Sequence, residues 1–130
     1  IMAIEPEIRF GLNTRFDFLI TFKKSKAFVE VKNVTLSRKR KVAEFPDAIT
    51  SRGLKHINEL MKASKKGYKI FILYLIQRND CNLFTIAKDI DTEYAKALSK
   101  AVKNNLKILC YDCKFSSKGI KMNNKINFKL

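Results

Sequence analysis

The chain predicts a mixed α/β domain, a central mixed β-sheet flanked by helices, and three observations carry that expectation. Apolar residues alternate with period two through the first half. After Phe45-Pro46-Asp47 the apolar spacing changes to threes and fours. Between two such helical stretches lies Tyr68–Gln77, an almost continuous apolar run. Period two marks a half-buried strand, threes and fours an amphipathic helix, and an unbroken apolar run a strand covered on both faces.

The elements follow in order. Glu7–Phe10 reads as a short first strand, with Gly11 to Asn13 as its turn. In Thr14–Thr21, Phe16, Phe18 and Ile20 point one way and Arg15 and Asp17 the other. In Lys26–Ser37, Val29 and Val31 share one face and Glu30 and Lys32 the opposite one. Across Thr50–Lys66, Leu54, Ile57, Leu60, Met61 and Ser64 line one helical face. Thr50 or Ser51 caps its start and Gly67 suits its stop. Gly53 in the first turn costs helix propensity, which predicts a close approach to the backbone there. Asp91–Asn105 is a second helix with Asp91 as N-cap, and Leu106–Phe115 returns to strand. In the tail, Ile120, Met122, Ile126, Phe128 and Leu130 alternate with lysines, which predicts a half-buried strand or a hairpin turning at Asn123-Asn124.

Length and composition bound the rest. At 130 residues the chain is one domain, and 46% apolar residues with only four Gly and two Pro exclude a disordered or collagen-like chain. The longest apolar run, Ile70 to Ile76, is far shorter than the roughly 20 residues of a membrane span. The three cysteines are an odd number, which argues against a disulfide framework and predicts a cytoplasmic protein. Cys110 and Cys113 have metal-site spacing, but no second such pair completes a zinc site. Neither a phosphate-binding glycine loop nor a G-x-S-x-G elbow is present, so the sequence gives no support to a nucleotide cofactor or an α/β-hydrolase.

The net charge is +15, from 27 basic and 12 acidic residues. A balance this basic costs self-repulsion and commonly reflects a polyanionic partner, with nucleic acid first and an anionic membrane surface second. The basic residues do not form one face of an amphipathic helix, which weakens the membrane reading. The alternative reading of the charge is a plain lysine drift, with abundant Lys and Asn and no Trp.

Pairing of the two early strands would bring Asp17, Glu30 and Lys32 onto one face. Adjacent carboxylates repel unless one is protonated or a cation lies between them. One or two carboxylates suffice for Mg²⁺ or Mn²⁺ when phosphates complete the shell, and a lysine beside them can orient a water or steady a phosphoryl oxygen. The same residues also read as a solvated cross-strand ion pair. Ser37-Arg38-Lys39-Arg40-Lys41 reads as a mobile basic loop able to contact a DNA backbone, and Arg52, Lys55 and His56 lie at the helix start where phosphate contact is favoured.

Thr14-Arg15-Phe16-Asp17-Phe18, Glu30-Val31-Lys32-Asn33-Val34-Thr35-Leu36 and the long run from Phe45-Pro46-Asp47-Ala48-Ile49 to Asn58-Glu59-Leu60 resemble the sugar fermentation stimulation protein A family. Phe84-Thr85-Ile86-Ala87 and Ile90-Asp91 fit as well, so the resemblance runs from about Glu7 to near the C-terminus. It implies a restriction-endonuclease-like fold of the PD-(D/E)xK superfamily. Asp17 then falls on the metal-binding aspartate, Glu30 on the glutamate and Lys32 on the lysine of the E-x-K element, and Glu7 on the upstream acidic residue. Thr14 stands where serine is usual. Full-length members carry an N-terminal OB-like domain with no counterpart here, and with Ile1 as first residue this predicts the C-terminal part of a longer protein. The expected activity is DNA binding with metal-dependent phosphodiester hydrolysis. The alternative is a non-catalytic DNA-binding regulator of sugar metabolism on the same fold.

Overall fold

A computed structural model describes all residues from Ile1 to Leu130. The strands are β1 (Ala3–Phe10), β2 (Thr14–Thr21), β3 (Lys26–Val34), β4 (Leu36–Lys39), β5 (Val42–Phe45), β6 (Lys69–Ile76), β7 (Leu83–Ile86), β8 (Leu106–Ser116), β9 (Gly119–Lys125) and β10 (Asn127–Lys129). The helices are α1 (Ser51–Lys65) and α2 (Thr92–Lys103). Six strands form a mixed sheet in the order β1-β2-β3-β6-β8-β9, and four form a smaller sheet, β10-β7-β5-β4. The central pairs β3·β6 and β6·β8 are parallel, joined by crossovers that contain the two helices, while the outer pairs are antiparallel hairpin partners.

One face of the large sheet carries the core. Ile70, Ile72, Tyr74 and Ile76 of β6 are almost wholly buried on it. Glu30 and Lys32 stand on the same face, in register with Ile72 and Tyr74. Tyr74 hydrogen-bonds Tyr94 of α2 and packs on Phe45 and Phe84 of the small sheet. Helices and small sheet therefore cover this one face. The opposite side of β6, Phe71, Leu73 and Leu75, is only half-buried, which corrects the expectation of cover on both faces.

The helix starts are locked to each other. Thr50 caps α1 by accepting from the Gly53 amide at 2.9 Å, and Asp91 caps α2 by accepting from the Tyr94 amide at 3.0 Å. The second Asp91 oxygen accepts from the Thr50 amide at 2.9 Å, so one carboxylate serves both caps. The close approach predicted at Gly53 is real: a Cβ there would sit 2.9 Å from Thr50 side-chain atoms and 3.1 Å from the Tyr94 ring.

Four expectations change. The second sheet is absent from the sequence reading, because its strands are only three or four residues long and show no usable period. The basic run Ser37–Lys41 is not a free loop but the end of β4 and its turn into β5, with Lys41 at φ 65°. The tail turns between Ser116 and Gly119, not at Asn123-Asn124, which lie inside β9. Ile120 and Met122 remain exposed because β9 is an edge strand with no layer over it.

In β2, Phe16 packs against Phe28 on the core side, the rings tilted by 45°, while Phe18, paired with Val29, emerges on the opposite face. The alternation slips at Asp17, so Phe16 and Phe18 do not share a face as the period implied. In β1 the pairing skips Glu7 at the level of Asp17, and Glu7 is at φ 50°, left-handed and unusual for a non-glycine residue. Both strands change face at the same level, and the candidate site sits there.

Candidate active site

Regular pairing of β2 with β3 ends at Phe18–Val29. Beyond it, side chains replace the ladder. The Asp17 amide donates to Glu30 Oε1 at 2.9 Å, and the Val31 amide donates to Asp17 Oδ2 at 2.7 Å. Each carboxylate thus accepts the backbone N–H that the slip would otherwise orphan. The exchange fixes Asp17 and Glu30 as neighbours, as the sequence reading required, and Glu30 is only 2% exposed. The solvated ion-pair reading therefore fails for Glu30.

Lys32 and His56 close around the other Glu30 oxygen. His56 Nδ1 lies 2.9 Å from Glu30 Oε2 and 2.9 Å from Lys32 Nζ, and Lys32 Nζ lies 3.7 Å from Oε2. An imidazole nitrogen carries either a proton or a lone pair, so Nδ1 serves one partner at a time. Protonated, it donates to Glu30; unprotonated, it accepts from Lys32. Burial pulls the Lys32 ammonium below the ordinary lysine range, against the pull of Glu30 and Asp17, and the nearby Arg52 charge pushes it the same way as burial. The sequence reading placed His56 among the nucleic-acid contacts. The fold buries it, at 6% exposure, as the partner of Glu30 and Lys32.

Glu7 lies at the level of Asp17, in the gap between the Pro6–Phe18 and Ile8–Phe16 pairs, and is exposed. No third acidic, histidine or cysteine side chain joins the pair in a metal-holding group.

The basic candidates divide. Arg52, Lys55 and His56 line a cleft of about 690 Å³ between the β1–β2 turn and the start of α1. Lys55 also ties the helix to that turn by donating to the Asn13 carbonyl at 2.8 Å. Arg38, Lys39, Arg40 and Lys41 line a different hollow, with Arg78 and Asp80. Arg38 is spent on structure there: its guanidinium donates to Glu44 at 2.7 and 3.0 Å and to Asp89 at 2.6 and 2.8 Å, which holds both carboxyls below their usual range. Lys39, Arg40 and Lys41 remain exposed. Two cleft residues escaped the sequence reading, Arg9 and Arg15, which face each other across the hairpin. The signal was present, since they stand symmetrically about the turn Gly11–Asn13. Cys110 and Cys113 are both buried and free.

Residues 1–119 match the family described as the sugar fermentation stimulation protein RE domain. The chain belongs to this family. The resemblance carried by the Phe45–Leu60 run and the Asp17 and Glu30–Lys32 segments is borne out. Among sugar fermentation stimulation protein homologues, that of Pelagibacter ubique is 52% identical over 124 residues, covering 95% of this chain and 53% of the relative. That of Roseobacter denitrificans is 42% identical over 98% of this chain and 55% of its own. Among solved structures, Pyrococcus furiosus SfsA in complex with Ca²⁺ superposes with a TM-score of 0.88 at 28% identity, covering 97% of this chain and 54% of that one. The chain therefore spans about half the length of these family members, and the mixed sheet with its two helices is the family's own fold. No helix is long and apolar enough to cross a membrane.

Proposed function

We propose that this domain is a metal-dependent, nuclease-type hydrolase of nucleic-acid phosphodiesters, with DNA as its substrate. The observation that carries the reading is the cross-braced pair Asp17 and Glu30, with Lys32 and His56 on one Glu30 oxygen, at the edge of a cleft lined by basic residues. The donor set suits Mg²⁺ or Mn²⁺. Asp17 Oδ1 has no protein partner, and the ionised pair offers hard oxygen ligands to a cation whose remaining positions water and phosphate can fill. A hard divalent ion is recorded with the Pyrococcus furiosus relative, in the form of Ca²⁺. When bound, the ion would lower the pKa of a water and neutralise the scissile phosphate.

The chain's own residues supply the rest. Asp17 and Glu30 are held rigid by opposite-strand amides, which reduces the reorganisation needed to bind an ion. Lys32, partly desolvated, directs a donor to the attacking water or to the pentavalent phosphorus. His56 keeps Glu30 and Lys32 in place. Arg52 and Lys55 carry phosphate contacts that give affinity and position without reading sequence.

A second reading is a non-catalytic DNA-binding regulator on the same fold. It is favoured by one observation: both Glu30 oxygens already lie against protein nitrogen atoms and no third ligand joins the pair. Calorimetric titration of Mg²⁺ and Mn²⁺ into the wild-type chain and Asp17→Asn, beside cleavage of labelled duplex and single-stranded DNA, separates the two. Metal binding lost in Asp17→Asn, with cleavage in the wild type alone, supports the nuclease. DNA binding with neither an Asp17-dependent metal site nor cleavage supports the regulator.

A further inference from the structure

Arg9 and Arg15 are directly opposed across β1 and β2, and like charges in that position destabilise a hairpin. Nothing in the chain relieves them. None of its six ion pairs uses Arg9, Arg15 or Arg52, whereas Arg38 and Arg78 are both paired with carboxylates; Arg40, the sixth arginine, is also unpaired but stands alone in the β4–β5 turn, beside the paired Arg38 and Arg78. The cleft that these three arginines share with Lys55 contains no acidic residue. Composition sharpens the point. Only six of the 27 basic residues are arginines, so a lysine-rich drift does not account for three of them in one cleft. Guanidinium is the side chain whose planar fork matches a phosphate in two parallel hydrogen bonds.

The cleft also has a direction. His56 lines it and contacts Glu30, so the cleft lies one side chain away from the candidate metal site. On its far side a second hollow shares Leu12, Asn13 and Lys55 with it and continues past Glu59, Lys62 and Lys65 of α1 to Lys66 just after the helix; Glu59 pairs with Lys62, which leaves Lys65 and Lys66 as the unpaired charges there. Arg52 to Lys66 spans roughly 21 Å at 1.5 Å per helical residue, room for several consecutive phosphates.

We propose that Arg9, Arg15 and Arg52 form a phosphate clamp that holds a nucleic-acid strand beside the Asp17–Glu30 site, with the strand continuing along α1 and not over the Arg38–Lys41 turn. The identity of the ligand as nucleic acid rests on the function proposed above; the clamp as an anion site rests on the uncompensated arginines.

The test is fluorescence anisotropy of a fluorescein-labelled 20-base-pair DNA duplex and its single strand with the 130-residue chain, in EDTA so that no cleavage occurs. Arg9→Gln/Arg15→Gln is expected to weaken binding at least about tenfold and to reduce the slope of log K against log salt by roughly 1.8 for duplex, or about 1.4 for single strand. Arg52→Gln, on another element, is expected to act in the same direction. Lys96→Gln/Lys100→Gln, two exposed positions on α2, removes the same charge elsewhere and is the control. Equal losses in the hairpin and control variants overturn the clamp, as does a larger loss from Lys39→Gln/Arg40→Gln, or no binding by the wild-type chain at low salt. If the hairpin variant alone loses DNA while the metal titration shows no site at Asp17, the clamp stands and the nuclease reading falls.

Discussion

Glu30→Gln keeps the size of a buried side chain and removes its charge. Glu30 is 2% exposed and accepts from the Asp17 amide at 2.9 Å, and its other oxygen lies 2.9 Å from His56 Nδ1 and 3.7 Å from Lys32 Nζ. The glutamine can still offer an oxygen to Asp17. Its other end is an amide that satisfies neither the Lys32 ammonium nor a protonated His56. Losing a hydrogen bond to a charged group costs about 1.5–3 kcal/mol, and orphaning one member of a buried ion pair costs about 3–5 kcal/mol. The relieved desolvation of Glu30 is already included in the second range, so the two figures are not additive. The expected loss is about 3 kcal/mol, or roughly 10 °C in Tm for a chain of this size. Urea unfolding at pH 7 measures it, and a cycle with Lys32→Met assigns it. With the lysine gone the glutamine orphans no cation, so the double variant should recover a large part of the loss, with a coupling of about 1–3 kcal/mol. A Glu30→Gln loss below about 0.5 kcal/mol is the level of a surface substitution and would refute the buried, cross-braced site.

Three further outcomes follow from the same geometry. Because burial lowers the Lys32 pKa from 10.5, the folded chain binds fewer protons than the unfolded chain in the window between the folded value and 10.5. Wild-type stability should therefore gain on that of Lys32→Met as pH rises through this window, and parallel urea profiles from neutral pH to 10.5 would contradict it. Gly53→Ala gains about 1 kcal/mol of helix propensity, but the new Cβ meets Thr50 atoms at 2.9 Å and the Tyr94 ring at 3.1 Å, so a net loss of about 1–2 kcal/mol is expected; a rise in Tm would show that these contacts yield easily. Burial pushes the Cys110 thiol up to about 12, so a thiol reagent at pH 8 should label it only after unfolding, and fast labelling of the native chain would remove the packing assigned to β8.

Much of this architecture was legible in the chain. The caps at Thr50 and Asp91, the stop near Gly67 and the two helical faces are local signals, written within a few residues of where they act. So was the run of β6, whose length and apolar content fixed it as a central strand. The site was legible in its types and spacing, since Glu30 and Lys32 are two apart and Asp17 lies on the preceding strand. The small sheet was not legible, because strands of three or four residues give no period and their pairing joins segments far apart in sequence.

By itself the sequence determined the order of the main elements, the family to which the chain belongs, and the candidate residues Asp17, Glu30 and Lys32. Tertiary structure alone decided what those residues touch. Period-two counting assumes an unbroken pleat, and the pleat breaks at Glu7 and Asp17, where a carboxylate takes over from a backbone carbonyl. Which face of β3 is buried depends on where α1 docks, so only the fold could set His56 against Glu30 and Lys32. Charge is additive along a sequence but is neutralised in space: Arg38, in the most basic run of the chain, is consumed by Glu44 and Asp89, while Arg9 and Arg15, six residues apart in sequence, meet across a hairpin with no carboxylate to satisfy them.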